Sequence, residues 1–302
     1  MPHTIKNLPK GAVIQPPDPR DFNYLVVGAI TPVDWSIPFS NPEPFDSDQG
    51  QALRCVGEAT SYFHWQFDKE KYSPRDVYSQ IYLPQGGAYL RDGPGTIINK
   101  GQQTLAECGD PIPNNENNNR IRCANPQQAL DGLEALYYGI NGKNINIVAL
   151  AIRDHHGCIL GVQGDNVGWA DLLNPKPPVN SEWGHALYLF GYHLHNGVKC
   201  VIAKSSWCNT GIKVHHIKED YFTSDNTFDG WVIIPKDNKV MIEFVHKAGT
   251  QEYGFLQTTP YSSLYLRSSN EEDLKFSAQK FGVQILNPDG TINFNSAREI
   301  SI

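Results

Sequence analysis

The sequence predicts an α+β chain in two lobes with a small α/β extension after them. A helix-and-loop half from about 53 to 140 carries a helix-borne cysteine, and an antiparallel, barrel-like half from about 145 to 238 carries a histidine. Three observations support this. The apolar residues Val56, Ala59, Phe63 and Phe67 recur at helical spacing behind Cys55. Two β-rich runs, Ala186 to Leu194 and Val198 to Ser205, flank Asn196-Gly197, a strong hairpin signal. Period-two and short apolar runs then dominate to Ile234.

With 302 residues, 40% hydrophobic and 19% charged, the chain has an ordinary globular composition and enough length for one large or two modest cores. A net charge of -7 disfavours nucleic acid and anionic membrane as partners. No apolar run is long enough to span a bilayer, and residues 1–22 lack the apolar core of a signal peptide, so a cytoplasmic protein is expected. A reducing compartment would keep the six cysteines free; pairs of Cys108 with Cys123, or Cys158 with Cys200 or Cys208, are the alternatives on export.

In chain order, residues 1–32 hold Pro9, Pro16, Pro17 and Pro19 with little periodicity and read as an extended arm. Residues 33–238 form the main domain. Asp48-Gln49-Gly50-Gln51 is a turn leading into the Cys55 helix. A thiol in a helix's first turn faces unpaired N–H groups and the positive end of the macrodipole, which favour thiolate. Arg54 would add a cation, and the Gln49 carboxamide can swing toward the same point as a neutral donor. A turn follows at Ser73-Pro74, then a Gly-rich segment from Gly86 to Gly95 and helices near Ile98 to Cys108 and Pro126 to Tyr138. The polar patch Pro113 to Arg120 reads as a surface loop. Strands are expected at Ile145 to Ile152, Ile159 to Val162 and Gly230 to Ile234. The hairpin places His185 at the mouth of one strand and Ser205 at the end of the next, close together.

In the extension, 239–302, a strand is expected at Val240 to His246, a helix at Glu271 to Phe281 stopped by Gly282, and a hairpin from Val283 to Phe294 about Pro288-Asp289-Gly290. Phe244, Tyr253, Phe255, Tyr261 and Tyr265 serve either packing or a protein partner. His155-His156-Gly157-Cys158 with His215, His216 and Cys208 invites a zinc reading, but the spacing matches no standard ligand pattern and no metal is expected.

These residues together resemble the papain-like cysteine peptidases. Gln49-Gly50 with Cys55 is similar to that family's Gln-Gly…Cys turn, Gly184-His185-Ala186 with Gly191-Tyr192 to its His-Ala…Gly-Tyr block, and Lys204-Ser205-Ser206-Trp207 to its Lys-Asn-Ser-Trp block. Val33-Asp34-Trp35 resembles the start of the mature enzymes, Tyr72 to Val77 a Leu-Ser-x-x-Asp-Leu segment, and Gly86-Gly87 the glycine pair lining the substrate cleft. The resemblance implies Cys55 as nucleophile, His185 as base, Gln49 as oxyanion donor, Ser205 as the group orienting the imidazole, and Trp207 as its shield. It implies peptide or protein substrates and no cofactor. Three departures stand out: Ser205 for asparagine, Ala52-Leu53-Arg54 where the family's loop carries an anchoring half-cystine, and a shortened Gly-rich run at Cys208 to Gly211. Secreted members carry a long helical prodomain that residues 1–32 are too short to form, so the expectations are an enzyme without a zymogen or an arm that itself covers the cleft. A papain-like body kept as a binding module, or a transpeptidase or amidase using the same thiol, are the alternatives to a hydrolytic endopeptidase.

Overall fold

The computed structural model describes residues 11–16, 25–26, 32–109, 114–123, 132–235, 241–258, 263–268, 270–281 and 283–300. Three short strands come first: β1 (Ala12–Val13), β2 (Leu25–Val26) and β3 (Phe39–Ser40). The helical lobe follows, with α1 (Cys55–Asp68), α2 (Pro74–Ile81), β4 (Ala88–Tyr89), α3 (Asp92–Lys100), α4 (Leu105–Cys108) and α5 (Glu116–Asn119). Cys55 opens α1, as its spacing predicts. The Ser73-Pro74 turn is the start of α2, where proline at the first helical position loses no intrahelical bond. The helix expected from Ile98 is displaced: α3 already begins at Asp92, stops at Gly101 with φ 68°, and Thr104 opens α4 with a capping box to Glu107. Inside the polar patch, Asn115 caps α5 through the Asn118 N–H.

Two sequence expectations fail between the lobes. The helix expected to Tyr138 is, over its described end, strand β5 (Ala135–Ile140); residues 124–131 lie outside the described residues. The run expected as a strand at Ile145 to Ile152 is helix α6 (Ile145–Asp154). Asn144 accepts the Asn146 and Ile147 N–H groups, and the helix is buried on most of its surface, which removes the polar stripe that would reveal a helical period.

The strand lobe is a seven-stranded sheet built on β6 (Cys158–Gly164), β7 (Trp183–His195), β8 (Val198–Lys204), β9 (Val214–Lys218) and β10 (Thr227–Pro235), with α7 (Glu219–Thr223) after β9. Its order is β5-β10-β6-β7-β8-β9, with β3 beside β7, and every pairing is antiparallel. Asn196 and Gly197 turn the β7–β8 hairpin at φ 52° and 79°, the left-handed values a two-residue turn requires. Alternation buries both faces. Ile159, Ala186, Tyr188, Phe190, Trp231 and Ile233 pack on the helical lobe, while their neighbours Leu160, Leu187, Leu189, Val232 and Ile234 pack with α6 on the other side.

The extension contributes β11 (Met241–Lys247), β12 (Tyr253–Thr258), β13 (Ser263–Arg267), helix α8 (Glu271–Phe281) and β14 (Arg298–Ile300). Its sheet runs β14-β11-β12-β13-β2, so it takes one strand from the segment read as the arm. The expected hairpin about Pro288 to Gly290 is reduced to one bridge, Leu286 with Ile292. Phe244 and Phe255 join the strand-lobe core, and Tyr253 rests on Phe294 with centroids 4.6 Å apart. These aromatics pack; Tyr261 lies outside the described residues.

Two links anchor the helical lobe. Cys108 and Cys123 form a disulfide, a departure from the expectation of free thiols. Arg54, immediately before α1, is fully buried and donates from Nε to Glu58 Oε1 (2.8 Å), from one terminal nitrogen to Asn119 Oδ1 (2.9 Å), and from the other to the Asp48 carbonyl (2.5 Å). These bonds tie the Gln49 turn to the first turn of α1 and to α5.

Arg54→Ala leaves Glu58 buried and unpaired, so denaturant unfolding is expected to show a loss of about 3–5 kcal/mol, with part recovered by adding Glu58→Gln. Replacing both Cys108 and Cys123 with Ser reopens a loop spanning 15 residues and is expected to cost about 3 kcal/mol in the same assay.

Candidate active site

The Asp48 to Ala52 turn is stitched to the Ser-Ser-Trp block. Gln49 donates its backbone N–H to the Ser206 carbonyl (2.8 Å), Asp48 bridges Trp207, and the Trp207 indole N–H donates to the Gly50 carbonyl (3.1 Å). The Gln49 amide is held at both ends: Nε2 donates to the Ala52 carbonyl (2.8 Å) and Oε1 accepts from the Ser206 hydroxyl (2.6 Å). The Ala52 carbonyl can only accept, which fixes the amide's orientation and leaves Nε2 a second hydrogen.

Cys55 is fully buried, and its Sγ accepts the Ala186 N–H at 3.4 Å. The nucleophile candidate therefore meets the strand lobe at the residue following His185, which is the cross-lobe approach the sequence implied. The thiol is not biased toward thiolate. Burial pushes it up to about 12; the backbone N–H groups of Ala186 and Val56 pull the other way without prevailing. Arg54 does not assist as expected, because its charge is spent on Glu58.

His185 is also fully buried, inside an aromatic enclosure. Trp207 stacks on the imidazole with centroids 4.4 Å apart and planes at 16°, while Trp169 (5.7 Å) and Trp183 (6.4 Å) meet it edge-on. Neither ring nitrogen has a hydrogen-bond partner among the described residues. Burial, then the nearby His215, holds the imidazole well below its ordinary range. Both members of the pair are thus neutral in this state.

Ser205 does not take the orienting position. The hairpin register pairs Tyr188 with Lys204, which leaves Ser205 short of His185 along the neighbouring strand, and neither His185 nitrogen has a hydrogen-bond partner among the described residues. The Ser205 hydroxyl accepts the Trp207 N–H at 3.1 Å, so the block reaches His185 through the Trp207 ring. The Trp207 ring covers one face of the imidazole.

One member of the glycine pair, Gly87, faces an occupant, while Gly86 packs on Leu53. Gly86 and Gly87 have φ of 94° and 75°, and a Cβ on Gly87 would lie 2.5 Å from the Gly11 carbonyl oxygen. The Ala88 N–H donates to that oxygen (2.8 Å), the Gly11 N–H donates to the Gly184 carbonyl (3.2 Å), and β1 pairs parallel with β4. Gly11 lies directly on the thiol: a Cβ there would be 2.5 Å from Cys55 Sγ and 2.8 Å from the Leu53 carbonyl oxygen. The second of the two arm expectations therefore describes residues 11–13, which run extended between Ala88 and Gly184 over Cys55.

Sequence reasoning missed Gly184, Ala88, Trp169 and Trp183 as site components. Only Gly184 and Trp183 carried a signal, through adjacency to His185. The residues grouped as a zinc candidate are dispersed: the His215 imidazole is bonded to the Leu172 carbonyl and Cys208 Sγ to that of Ser205. Among the described residues, the His/Cys group with ligand atoms in proximity is His193, Cys200 and His216. No described helix is long and apolar enough to cross a membrane.

No family model and no curated protein matches the chain. Solved structures do. Xylellain, a cysteine protease from Xylella fastidiosa, aligns with a TM-score of 0.57 at 20% identity, over 76% of this chain and 98% of that one. Digestive procathepsin L2 from Tenebrio molitor larval midgut aligns with a TM-score of 0.58 at 14% identity, over 78% and 80%. Bromelain from Ananas comosus, in complex with the E64 inhibitor, aligns with a TM-score of 0.51 at 16% identity, over 67% and 100%. With its helix-borne Cys55 meeting a strand-borne His185-Ala186, this chain has the papain-like cysteine-protease fold in a divergent form.

Proposed function

We propose that the protein is a latent cysteine endopeptidase whose own arm occupies the substrate cleft. The observation that carries this reading is the seating of residues 11–13: an extended backbone hydrogen-bonded to Ala88 and Gly184, with Gly11 against Cys55 Sγ. A groove that accepts extended backbone over a thiol is suited to a peptide substrate.

Once the arm leaves, water reaches Cys55 and His185, and the desolvation that keeps both neutral is relieved. The proton moves from Cys55 to His185, and the thiolate attacks a peptide carbonyl. The free Nε2 hydrogen of Gln49 and the Cys55 N–H are the donors for the oxyanion, each worth about 3 kcal/mol of barrier. His185 protonates the leaving amine and then draws a proton from the water that releases the acyl group. Trp207 keeps the imidazole in plane. The arm survives because the Gly11 carbonyl is committed to the Ala88 N–H and not to Gln49.

Intact-mass labelling with a peptidyl epoxysuccinyl reagent tests this. A chain without residues 1–16, which keeps β2, should take one adduct at neutral pH that Cys55→Ala and His185→Ala abolish. Absence of an adduct on the shortened chain would favour the binding-module reading. The full chain should label slowly, with a rate that keeps rising through the alkaline range, since a thiol lifted to about 12 is protonated at lower pH. Gly11→Ala places a methyl against Cys55 Sγ and the Leu53 carbonyl, so it should expel the arm and accelerate labelling without any deletion.

On the shortened chain, Trp207→Ala is expected to lower kcat/KM by at least about tenfold more than Ser205→Ala, because the ring and not the hydroxyl touches His185. Equal losses in a peptide-hydrolysis assay would return the orienting role to Ser205.

A further inference from the structure

We propose that His193, Cys200 and His216, completed by His195, form a zinc-type metal site on the strand lobe. The register builds it. His193 on β7 stands opposite Cys200 on β8, and Ile202, two residues on and thus on the same face as Cys200, stands opposite His216 on β9. His195 shares the His193 face by the same alternation. Four metal-ligating side chains from three adjacent strands therefore project from one patch of sheet.

The distances suit a tetrahedral ion. His193 Nε2 and His216 Nδ1 share a hydrogen bond of 3.1 Å, which a bound ion would replace, and the ligand atoms of His193, Cys200 and His216 all lie within 4.8 Å of one another. Zinc bonds of about 2.0–2.1 Å to nitrogen and 2.3 Å to sulfur set neighbouring ligands about 3.3 Å (N to N) and 3.6 Å (N to S) apart. The nitrogens are already near that spacing, and the sulfur is at most about 1.2 Å beyond it, within reach of a side-chain rotation. The His195 ring lies 5.9 Å from that of His193 and 5.8 Å from that of His216, close enough to supply the fourth ligand.

Cys200 is buried, opposite Lys218 on β9. On binding, the thiol proton is released to solvent, and one sulfur–metal and up to three nitrogen–metal bonds form; nothing is oxidised or reduced. The site is separate from the reacting pair, since eight residues of extended strand, about 26 Å, lie between His185 and His193 along β7. It would clip β7, β8 and β9 together at the end of the sheet away from Cys55.

The test uses the full chain carrying Cys55→Ala, so that the cleft thiol cannot contribute. After chelator treatment, cobalt(II) is added and the spectrum recorded, and zinc affinity is measured by competition with a chromophoric indicator, with stoichiometry from elemental analysis. Expected are one metal per chain, a thiolate-to-cobalt charge-transfer band with tetrahedral visible absorption, and a zinc-dependent rise in melting temperature. Cys200→Ser should abolish the band, and His193→Ala or His216→Ala should each weaken zinc by at least about 100-fold. His195→Ala, at a half-exposed position that tolerates truncation, should alter the visible spectrum while the thiolate band remains. Absence of the thiolate band, or an affinity the same in the His193 and His216 variants as in the parent, would overturn the assignment.

Discussion

A buried guanidinium determines where Cys55 stands. Arg54 occupies the junction of the Gln49 turn, the first turn of α1 and the one-turn helix α5, and each contact is a different kind of acceptor: a carboxylate, an amide oxygen and a backbone carbonyl. Arginine suits this place because its planar donors diverge at fixed angles, where a lysine would offer one point charge. Its value here lies in geometry more than in net stability, since burying an ion pair costs desolvation that the pair barely recovers. What the arrangement secures is the position of Cys55 relative to Gln49.

Solvent exclusion overrides the local electrostatics of the site. Burial lifts the Cys55 thiol from 9.0 to about 12, roughly 4 kcal/mol against the thiolate, whereas a helix start supplies about 0.3–1 kcal/mol in its favour. The same burial disfavours imidazolium at His185, whose two nitrogens face aromatic surface. The structure therefore holds Cys55 and His185 in their uncharged forms. In the proposed enzyme, hydration of the cleft, not any change in neighbouring charges, is what would separate this state from an active one.

The parts of this arrangement that sequence made legible are those written locally. Cys55 in a first turn, the Asn196-Gly197 hairpin and the glycine pair each follow from a few adjacent residues whose backbone options are narrow. The missed parts are long-range or disguised. Ile145 to Ile152 resembles a buried strand because α6 is enclosed on nearly all sides, and only Asn144 gave its start away. The role of Ser205 turned on where its hydroxyl points, toward the Trp207 N–H and not toward His185, a side-chain choice with no signature in composition. Arg54 looked like an electrostatic aid to the thiol until its partners four and 65 residues onward came into view. The strand that β2 lends to the extension's sheet pairs residues more than 200 positions apart, beyond any local pattern.

The arm is pinned at two places, in the cleft through β1 and in the extension's sheet through β2. An occupant tethered in this way cannot be diluted away. Its effective concentration at the cleft, of millimolar order for a short connection, is a property of the chain and not of the solution. In the latent enzyme proposed above, the block should therefore persist unchanged from the test tube to the most dilute setting. A free peptide would displace the arm only by binding well enough to outcompete a neighbour that is always present, and each release would be reversible for as long as β2 held.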